Sequence, residues 1–295
     1  MKYTRREIGK LALVAPLSAL AQRGSRPSSK FAGVQLGMNV PYNFGSRDMD
    51  PGELLQRCLQ LNINALELRS QPVETFLGSP AAGGKKASPG ELQKWRASVS
   101  IDGIRAFRRK YEGAGVQVDI VKYDGIYNMS DPEVDYCFTL AKTLGAQALS
   151  TEIAAEGPKR IGQFADKHKM KVGFHGHGAT KPADWETVFS FSKYNWANLD
   201  LGHFLAGNNT SPIPFLKQYH DRITHVHVKD RKLNDGPNVP FGQGDTPITE
   251  ALHLIRDNKW PIDAIIEFEY PVPEGSDRMK ELAKCVQYCK DALLT

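Results

Sequence analysis

The chain has 295 residues, of which 41% are hydrophobic and 24% are charged. This composition is typical of a globular enzyme and excludes a disordered, collagenous or coiled-coil protein. The formal net charge of +5 falls to about +2 without residues 1–21, which carry four basic side chains and one acidic one, and so small a charge argues against nucleic acid or an anionic membrane surface as a partner.

Residues 1–21 resemble a bacterial twin-arginine export signal. Arg5 and Arg6 precede an apolar run that begins at Leu11, and the segment ends in Ala19-Leu20-Ala21, the small-residue pattern of a cleavage site. The run is too short to span a bilayer, so we predict export to the periplasm, cleavage after Ala21 and no stable membrane insertion after removal of the signal. A retained anchor and a plain N-terminal helix are the alternatives. We interpret residues 22–30 as a polar linker and 31–295 as the catalytic domain.

Eight short apolar runs follow the linker, separated by segments with helical periodicity. They comprise residues 31–38, 63–68, 116–121, 146–153, 171–174, 198–201, 223–228 and 264–268. Helix starts are marked by proline after a capping residue, as in Ser130-Asp131-Pro132 and Asp245-Thr246-Pro247. Eight alternations of strand and helix predict a single-domain α/β protein with a (β/α)8 TIM barrel.

A doubly wound open sheet is the competing architecture. It is disfavoured because residues 37–41, after the first strand, lack the glycine-rich dinucleotide fingerprint, and we assign no residues to an organic cofactor. Two long segments, residues 70–90 and 231–246, are expected to be loops on the catalytic rim of the barrel, where long loops often serve as lids.

Ionisable side chains occupy the carboxyl ends of five consecutive predicted strands, the face on which barrels carry their active sites. They are Glu152, His175, His177, Asp200, His203, His225, His227, Lys229, Glu267 and Glu269. A single one of them would most simply be a hydrogen-bonded structural group. Because buried carboxylates are costly unless paired or metal-bound, their convergence predicts a divalent metal site. Two Glu, one Asp and one His suit Mn²⁺ best, with Mg²⁺, Co²⁺ or Zn²⁺ less favoured.

At these positions the sequence resembles the xylose isomerase-like barrel superfamily, in the sugar phosphate isomerase/epimerase branch that includes ketose 3-epimerases and hydroxypyruvate isomerases. The resemblance runs from about Phe31 onward and rests on the Glu152 strand end and four motifs: Phe-His-Gly-His-Gly at 174–178, Asp-Leu-Gly-His at 200–203, His-Val-His-Val-Lys-Asp at 225–230 and Ile-Ile-Glu-Phe-Glu at 265–269. It implies one divalent ion held by Glu152, Asp200, His227 and Glu267. Many relatives carry Asn where this chain has Gly176, and the family's arginine beyond the seventh strand corresponds to Arg231.

The chemistry expected of such a site is proton transfer beside a ketone. A divalent ion that chelates the ketone oxygen and a neighbouring hydroxyl acidifies the C–H bond between them. Glu152 and Glu267 are the predicted catalytic bases, which would remove and return the proton on opposite faces. The predicted substrate contacts are His175, His177, His203, Lys229 and Arg231. The sequence thus predicts an isomerase or epimerase that acts on a small carbohydrate, with homo-oligomerisation left open.

Three other functions are alternatives. Elimination of a leaving group from a 3-keto sugar or 3-keto glycoside uses the same first step, and an exported enzyme would meet glycosides more readily than sugar phosphates. An endonuclease IV-like activity is disfavoured by the small charge and the export signal. A sugar-binding barrel without catalysis would require the four candidate ligands to be incidental.

Overall fold

Eight parallel strands close into a barrel in the computed structural model, which describes residues 26–295. The strands in chain order are β1 (Lys30–Phe31), β2 (Val34–Val40), β3 (Ala65–Arg69), β4 (Gln117–Lys122), β5 (Ala148–Glu152), β6 (Lys171–His175), β7 (Asn195–Asp200), β8 (Ile223–Val228), β9 (Asp230–Arg231), β10 (Asn238–Val239) and β11 (Asp263–Ile266). The barrel runs from β2 through β8 to β11, and β11 pairs with β2 to close it. The predicted (β/α)8 barrel is therefore confirmed.

Helices surround the barrel between successive strands. Within residues 26–295 they are α1 (Pro51–Gln60), α2 (Ser70–Phe76), α3 (Pro89–Ser98), α4 (Ile101–Gly113), α5 (Asp131–Leu144), α6 (Gly157–His168), α7 (Pro182–Phe191), α8 (Leu201–Asn208), α9 (Ile213–Tyr219), α10 (Ile248–Asp257) and α11 (Arg278–Leu294). The predicted helix starts coincide with real ones: Ser130 and Glu133 form a capping box at α5, and α10 begins directly after Pro247.

The strands are buried on both faces, as parallel strands beneath a layer of helices must be. Every residue of β3 and β8 is buried, including the polar ones that point into the barrel. Leu36, Met38, Val226 and Ile266 are fully excluded from solvent and belong to the continuous apolar core. Polar side chains inside such a core need specific partners, and those partners define the candidate site.

The structure differs from the sequence-based expectation in several local features. Residues 70–90 are not one long loop, because α2 begins at Ser70 and a short 3-10 turn follows at 82–84. Residues 231–246 contain a two-stranded ribbon formed by β9 and β10. Lys30, assigned to the linker, pairs with β2 as part of β1. The predicted export signal at 1–21 lies outside the described residues.

None of the helices in the described part of the chain combines the length and the apolar composition needed to cross a membrane.

Candidate active site

Three adjacent strands bring together side chains that are far apart in the sequence. Asp200 ends β7 and is in register with His227 on β8, while Glu267 directly follows β11. Because β7, β8 and β11 are neighbours and parallel, their carboxyl ends meet at one rim of the barrel. The predicted residues from these strands therefore share one small volume.

His227 faces two carboxylates with a nitrogen that has no hydrogen-bond partner. Its Nδ1 lies 3.3 Å from Glu267 Oε2 and 3.7 Å from Asp200 Oδ2, and all three side chains are buried. Burial alone would lower the pKa of His227, but the charges of Glu267 and Glu67 raise it well above its usual range. An imidazole nitrogen that points at two carboxylate oxygens is an arrangement suited to a divalent cation.

The other nitrogen of His227 is held by Glu67, a residue on β3 that was not predicted. Glu67 Oε2 lies 2.6 Å from His227 Nε2, and its Oε1 lies 3.4 Å from His225 Nε2. All three side chains are fully buried. Although burial would raise the pKa of Glu67, the neighbouring imidazoles lower it well below its usual range. A carboxylate in this position fixes the ring orientation of a ligating histidine.

Lys229 supplies the positive charge among the carboxylates. Its Nζ lies 2.6 Å from Glu267 Oε2, 2.6 Å from Glu269 Oε2 and 3.2 Å from Asp200 Oδ2. The side chain is buried, and the three carboxylates raise its pKa although burial acts in the opposite direction. Asp200 and Glu267 are in turn held ionised, with pKa values well below the usual range.

Glu152 lies at the same rim but is separated from Asp200 by one imidazole ring. Its Oε2 is 2.8 Å from both His175 Nδ1 and His177 Nε2, while His175 Nε2 lies 3.5 Å from Asp200 Oδ2. Burial would raise the pKa of Glu152, yet the charges of His175 and Lys122 and the imidazole hydrogen bonds hold it below its usual range. The structure thus brings Asp200, His227 and Glu267 into contact and leaves Glu152 one ring away.

Lys122, another residue that was not predicted, lies beneath Glu152. Its Nζ is 2.7 Å from Glu152 Oε1, and its side chain is 1% exposed. Burial would lower the pKa of Lys122, but the nearby glutamates raise it above the usual range. The lysine therefore stays charged and keeps Glu152 ionised from the interior of the barrel.

His203 and Arg231, both predicted substrate contacts, touch each other at the rim. Arg231 Nη1 lies 3.0 Å from His203 Nδ1, and Lys229 Nζ lies 2.9 Å from His203 Nε2. Burial lowers the pKa of His203 to about 4. Lysine and arginine are donors only, and a neutral imidazole accepts at one nitrogen, so His203 accepts from one of the two cations at a time.

The segment 232–246 is tied down beside the site by Asp230. This carboxylate is buried and accepts hydrogen bonds from the backbone N–H groups of Gly242 and Gly244 at 2.8 Å and of Thr246 at 3.2 Å. A Cβ atom at Gly244 would lie 1.9 Å from Asp230 Oδ1, so only glycine lets the backbone approach so closely. The predicted long loop on the rim is thus held in one position by hydrogen bonds from its backbone to Asp230.

The donor atoms of the rim fit a divalent cation. His175, Asp200, His203 and Glu267 each offer a ligand atom, and these atoms lie within 4.8 Å of one another. Glu152, His175 and His177 form a second such group, and Glu67, His225 and His227 a third. Carboxylate oxygens and imidazole nitrogens are ligands for Mn²⁺, Co²⁺ and Zn²⁺, and carboxylates also for Mg²⁺, so the donor set could hold a divalent ion and does not select one.

Sequence reasoning missed Glu67, Lys122 and Asn39, whose Nδ2 donates to Glu267 Oε1 at 2.9 Å. The available signal was a charged residue next to buried aliphatic residues: Glu67 lies between Leu66 and Leu68, and Lys122 follows Ile120 and Val121. A polar residue flanked by buried aliphatic residues must find a partner inside the barrel. The predicted site residues all come from strand ends beyond residue 148.

Comparison with known proteins places the barrel among its relatives. An inosose dehydratase of Clostridium botulinum strain Eklund 17B is 32% identical over 161 residues, which cover 47% of this chain and 53% of that protein. The inosose dehydratase of Clostridium perfringens strain 13 is 23% identical over 286 residues, covering 88% and 85%. The first match thus spans about half the length of the relative.

Solved structures share the fold at low sequence identity. D-psicose 3-epimerase of Clostridium cellulolyticum H10 superposes with a TM-score of 0.63 at 10% identity, covering 88% of this chain and 99% of the epimerase. Residues 139–290, which include β6, β7, β8 and β11 with the rim residues from Glu152 to Glu269, match the family described as the xylose isomerase-like TIM barrel. The chain belongs to the xylose isomerase-like TIM barrel family.

Proposed function

We propose that the protein is a divalent-metal-dependent carbon–oxygen lyase that removes water from a polyhydroxy ketone after proton abstraction beside the carbonyl group. The observation that carries the proposal is the rim itself. An accessible acid–base pair, Glu152 and His177, stands beside the buried cluster of Asp200, His227 and Glu267. The dehydratase names of the relatives support elimination as the outcome.

Asp200, His227 and Glu267 would hold the cation, with Glu152 and His175 completing the set from the neighbouring strands. A bound divalent ion would polarise the ketone and lower the pKa of the adjacent C–H group. The carboxylates are ionised and His227 is oriented by Glu67, and a bound cation would take the place of the proton that these carboxylates stabilise on His227.

Glu152 is the proposed base. Its side chain is 33% exposed, whereas that of Glu267 is 3% exposed and is engaged by Asn39 and Lys229. Lys122 and His175 keep Glu152 ionised, so it can accept a proton from the carbon beside the ketone. The geometry favours Glu152 over Glu267 because a base must reach the substrate.

His177 is the proposed acid. Its ring is 57% exposed, its Nε2 lies 2.8 Å from Glu152 Oε2, and the hydrogen bond with Glu152 raises its pKa. In the proposed reaction Glu152 takes the proton as the C–H bond breaks, and a carbon–carbon double bond forms as the C–O bond at the next carbon breaks. His177 gives its proton to the departing hydroxyl, which leaves as water. One acid–base pair on one side suits elimination, whereas epimerisation needs a second base on the opposite side.

Lys229, His203 and Arg231 are proposed to orient the oxygen atoms of the substrate. Lys229 and Arg231 flank His203 within 3.0 Å, and both are permanent cations at neutral pH. A substrate hydroxyl or enolate oxygen that displaced one of these cations from His203 would accept two hydrogen bonds, one from the imidazole N–H and one from the displaced cation. This arrangement would stabilise negative charge that develops on the ketone oxygen.

Solvent deuterium exchange with product analysis tests the proposal. The protein is purified without chelator, analysed for bound metal, supplied with Mn²⁺ and incubated in D₂O with 2-keto-myo-inositol, D-fructose or D-tagatose. We expect deuterium beside the ketone and a dehydrated product from at least one compound, and loss of both in Glu152→Gln. Glu156→Gln, an exposed neighbour on the same segment, is the matched control and should behave as wild type. Absence of exchange with every compound would overturn the proposal.

Epimerisation is the second candidate, because Glu152 and Glu267 are two carboxylates at one rim as an epimerase requires. The same experiment separates the candidates. Exchange that yields the epimer and no dehydrated product, and that is lost in both Glu152→Gln and Glu267→Gln, would favour the epimerase.

We also propose that the chain is exported. Arg5 and Arg6, the apolar run after them and the Ala19-Leu20-Ala21 ending support a twin-arginine signal. Fractionation of cells that produce the full chain should locate it in the periplasm. A replacement of both Arg5 and Arg6 by Lys should retain the protein inside, and unchanged export would contradict this proposal.

A further inference from the structure

A cavity of about 470 Å³ adjoins the candidate active site on the side of β2 and β11. Its lining includes Tyr42, Arg47, Asn238, Glu269 and Arg278. Glu269 connects the two regions, because one carboxylate oxygen lies 2.6 Å from Lys229 Nζ and the other accepts a hydrogen bond of 2.7 Å from the Tyr42 hydroxyl. The cavity is therefore one side chain away from the cluster around Lys229.

Arg47 and Arg278 are unlike most arginines of the chain. Within residues 26–295, Arg69, Arg96, Arg160 and Arg231 each lie within 4.0 Å of a carboxylate, as do several surface arginines. Neither Arg47 nor Arg278 has such a partner among the described residues, and both line the same cavity. The lining holds these two guanidinium groups and the single carboxylate of Glu269, so its formal charge is +1 and favours an anionic ligand.

Arg278 is also held in place. Its guanidinium lies 4.9 Å from the centre of the Phe268 ring, and one of its N–H groups donates to the carbonyl oxygen of Asn43 at 3.3 Å. Stacking on an aromatic ring and one backbone hydrogen bond fix the plane of the group and leave its other donors unused. An oriented guanidinium with free donors is suited to two-point recognition of an oxyanion.

We propose that this cavity is a substrate subsite that binds an oxyanion, a carboxylate or a phosphate group, at the end of the substrate remote from the ketone. The inference rests on the proposed function, because it assigns the substrate to acidic keto sugars or keto-sugar phosphates. Glu269 on the inner wall contacts Lys229, which it shares with Asp200 and Glu267, and the two arginines outnumber this one carboxylate in the lining of the cavity. Asn238 adds an amide to the lining.

Equilibrium binding tests the subsite independently of catalysis. Inorganic phosphate and D-glucuronate are titrated calorimetrically into the full chain, with D-glucose as the neutral comparison. The double variant Arg47→Met, Arg278→Met should bind at least one of the anions about tenfold more weakly, the effect expected from loss of a charged hydrogen bond. Arg109→Met, at an exposed position of α4 that also lacks a carboxylate partner among the described residues, is the matched control and should bind like wild type.

Kinetics distinguishes the two sources of the oxyanion. D-Fructose 6-phosphate, 5-keto-D-gluconate and D-fructose are compared by solvent deuterium exchange with Mn²⁺ present. We expect wild type to have a lower KM for one anionic compound than for D-fructose. The double variant should raise the KM for that anionic compound at least about tenfold. Its kcat and its KM for D-fructose should change little. A preference for the phosphate or for the carboxylate identifies the group.

The outcomes separate this inference from the proposed function. Exchange with D-fructose at equal efficiency in wild type and double variant, with no preference for either anion, overturns the subsite and leaves the lyase proposal standing. Absence of exchange with all compounds overturns the proposed function, and the calorimetric titration then decides the subsite alone. Equal anion binding by wild type and double variant overturns the subsite in every case.

Discussion

Glu67 on β3 and His227 on β8 are 160 residues apart in the sequence and form a contact of 2.6 Å between two fully buried side chains. The carboxylate holds Nε2 of the imidazole and so directs Nδ1 toward Asp200 and Glu267. The barrel interior thus sets the orientation of a ring whose other nitrogen faces the rim. A carboxylate that orients a ligating histidine in this way affects the affinity of the site for a metal.

Glu67→Gln should weaken metal binding about 10- to 100-fold, because the amide no longer fixes the ring and its proton as the carboxylate does. Titration of the metal-free protein with Mn²⁺ measures the change. Glu74→Gln is the matched control, since Glu74 is also a buried carboxylate but pairs with Arg96 at 2.9 Å and not with an imidazole. Both variants should lose stability and only Glu67→Gln should lose metal affinity, so equal affinities in the two variants would contradict the role of Glu67.

Lys229→Met should make the protein depend on a metal for its stability. The change leaves Asp200, Glu267 and Glu269 without their shared ammonium group, and an uncompensated buried charge costs about 3–5 kcal/mol. A divalent cation would replace that charge, so Mn²⁺ should raise the urea midpoint of the variant more than that of wild type. Lys232→Met removes a half-exposed lysine that pairs with Asp245 and should show no such effect. A variant as stable as wild type in EDTA would refute this reasoning.

Asp230→Asn should loosen the rim segment 232–246. The side-chain amide cannot accept all three backbone N–H groups that the carboxylate accepts, and an unsatisfied buried donor costs about 1–3 kcal/mol. Hydrogen exchange should accelerate at Thr246, or at Gly242 and Gly244, according to which carboxylate oxygen the amide nitrogen replaces. Asp235→Asn, in the same segment but with its carboxylate 82% exposed, should leave these amides protected. Unchanged protection in Asp230→Asn would show that other contacts hold the segment.

The barrel was predictable because each strand is a short apolar run with its own local signal. The predicted run 223–228 coincides with β8, and the others overlap their strands with shifts of a few residues. The order of strand and helix then selects the barrel without any knowledge of side-chain contacts. The segment 70–90 was less predictable, since α2 is short and follows β3 without an intervening turn.

The candidate site was predictable only in part, because sequence motifs describe single strand ends. They indicated Asp200, His227 and Glu267, which the closed barrel brings together. Whether these residues bind a metal stays a prediction. Glu67, between two leucines of β3, and Lys122, the last residue of β4, escaped notice because the partner of each is known only once the register of distant strands is known. Lys229 was named as a substrate contact, and its contacts with three carboxylates depend on the same register.

Asp263 lies near Asp119 at the opposite end of the barrel from the candidate site and should make stability depend on pH. Burial raises the pKa of Asp263 to about 7, with the charge of Asp119 adding to the effect, and burial raises the pKa of Asp119 to about 6. An aspartate in an unfolded chain has a pKa of about 3.9, so the folded protein retains protons that the unfolded chain loses. This contribution to stability is fully present below pH of about 4 and is lost as the pH rises toward 7.

Asp263→Asn should therefore flatten the pH dependence of the unfolding free energy between pH of about 4 and 7. The asparagine stays neutral, and we expect the variant to gain about 1 kcal/mol relative to wild type across that interval, a value reduced because the carboxyl group is partly exposed. Urea unfolding at several pH values measures the gain. Asp102→Asn, at the exposed start of α4, should keep the wild-type slope. Parallel curves for wild type and Asp263→Asn would show that Asp263 titrates as it does in the unfolded chain.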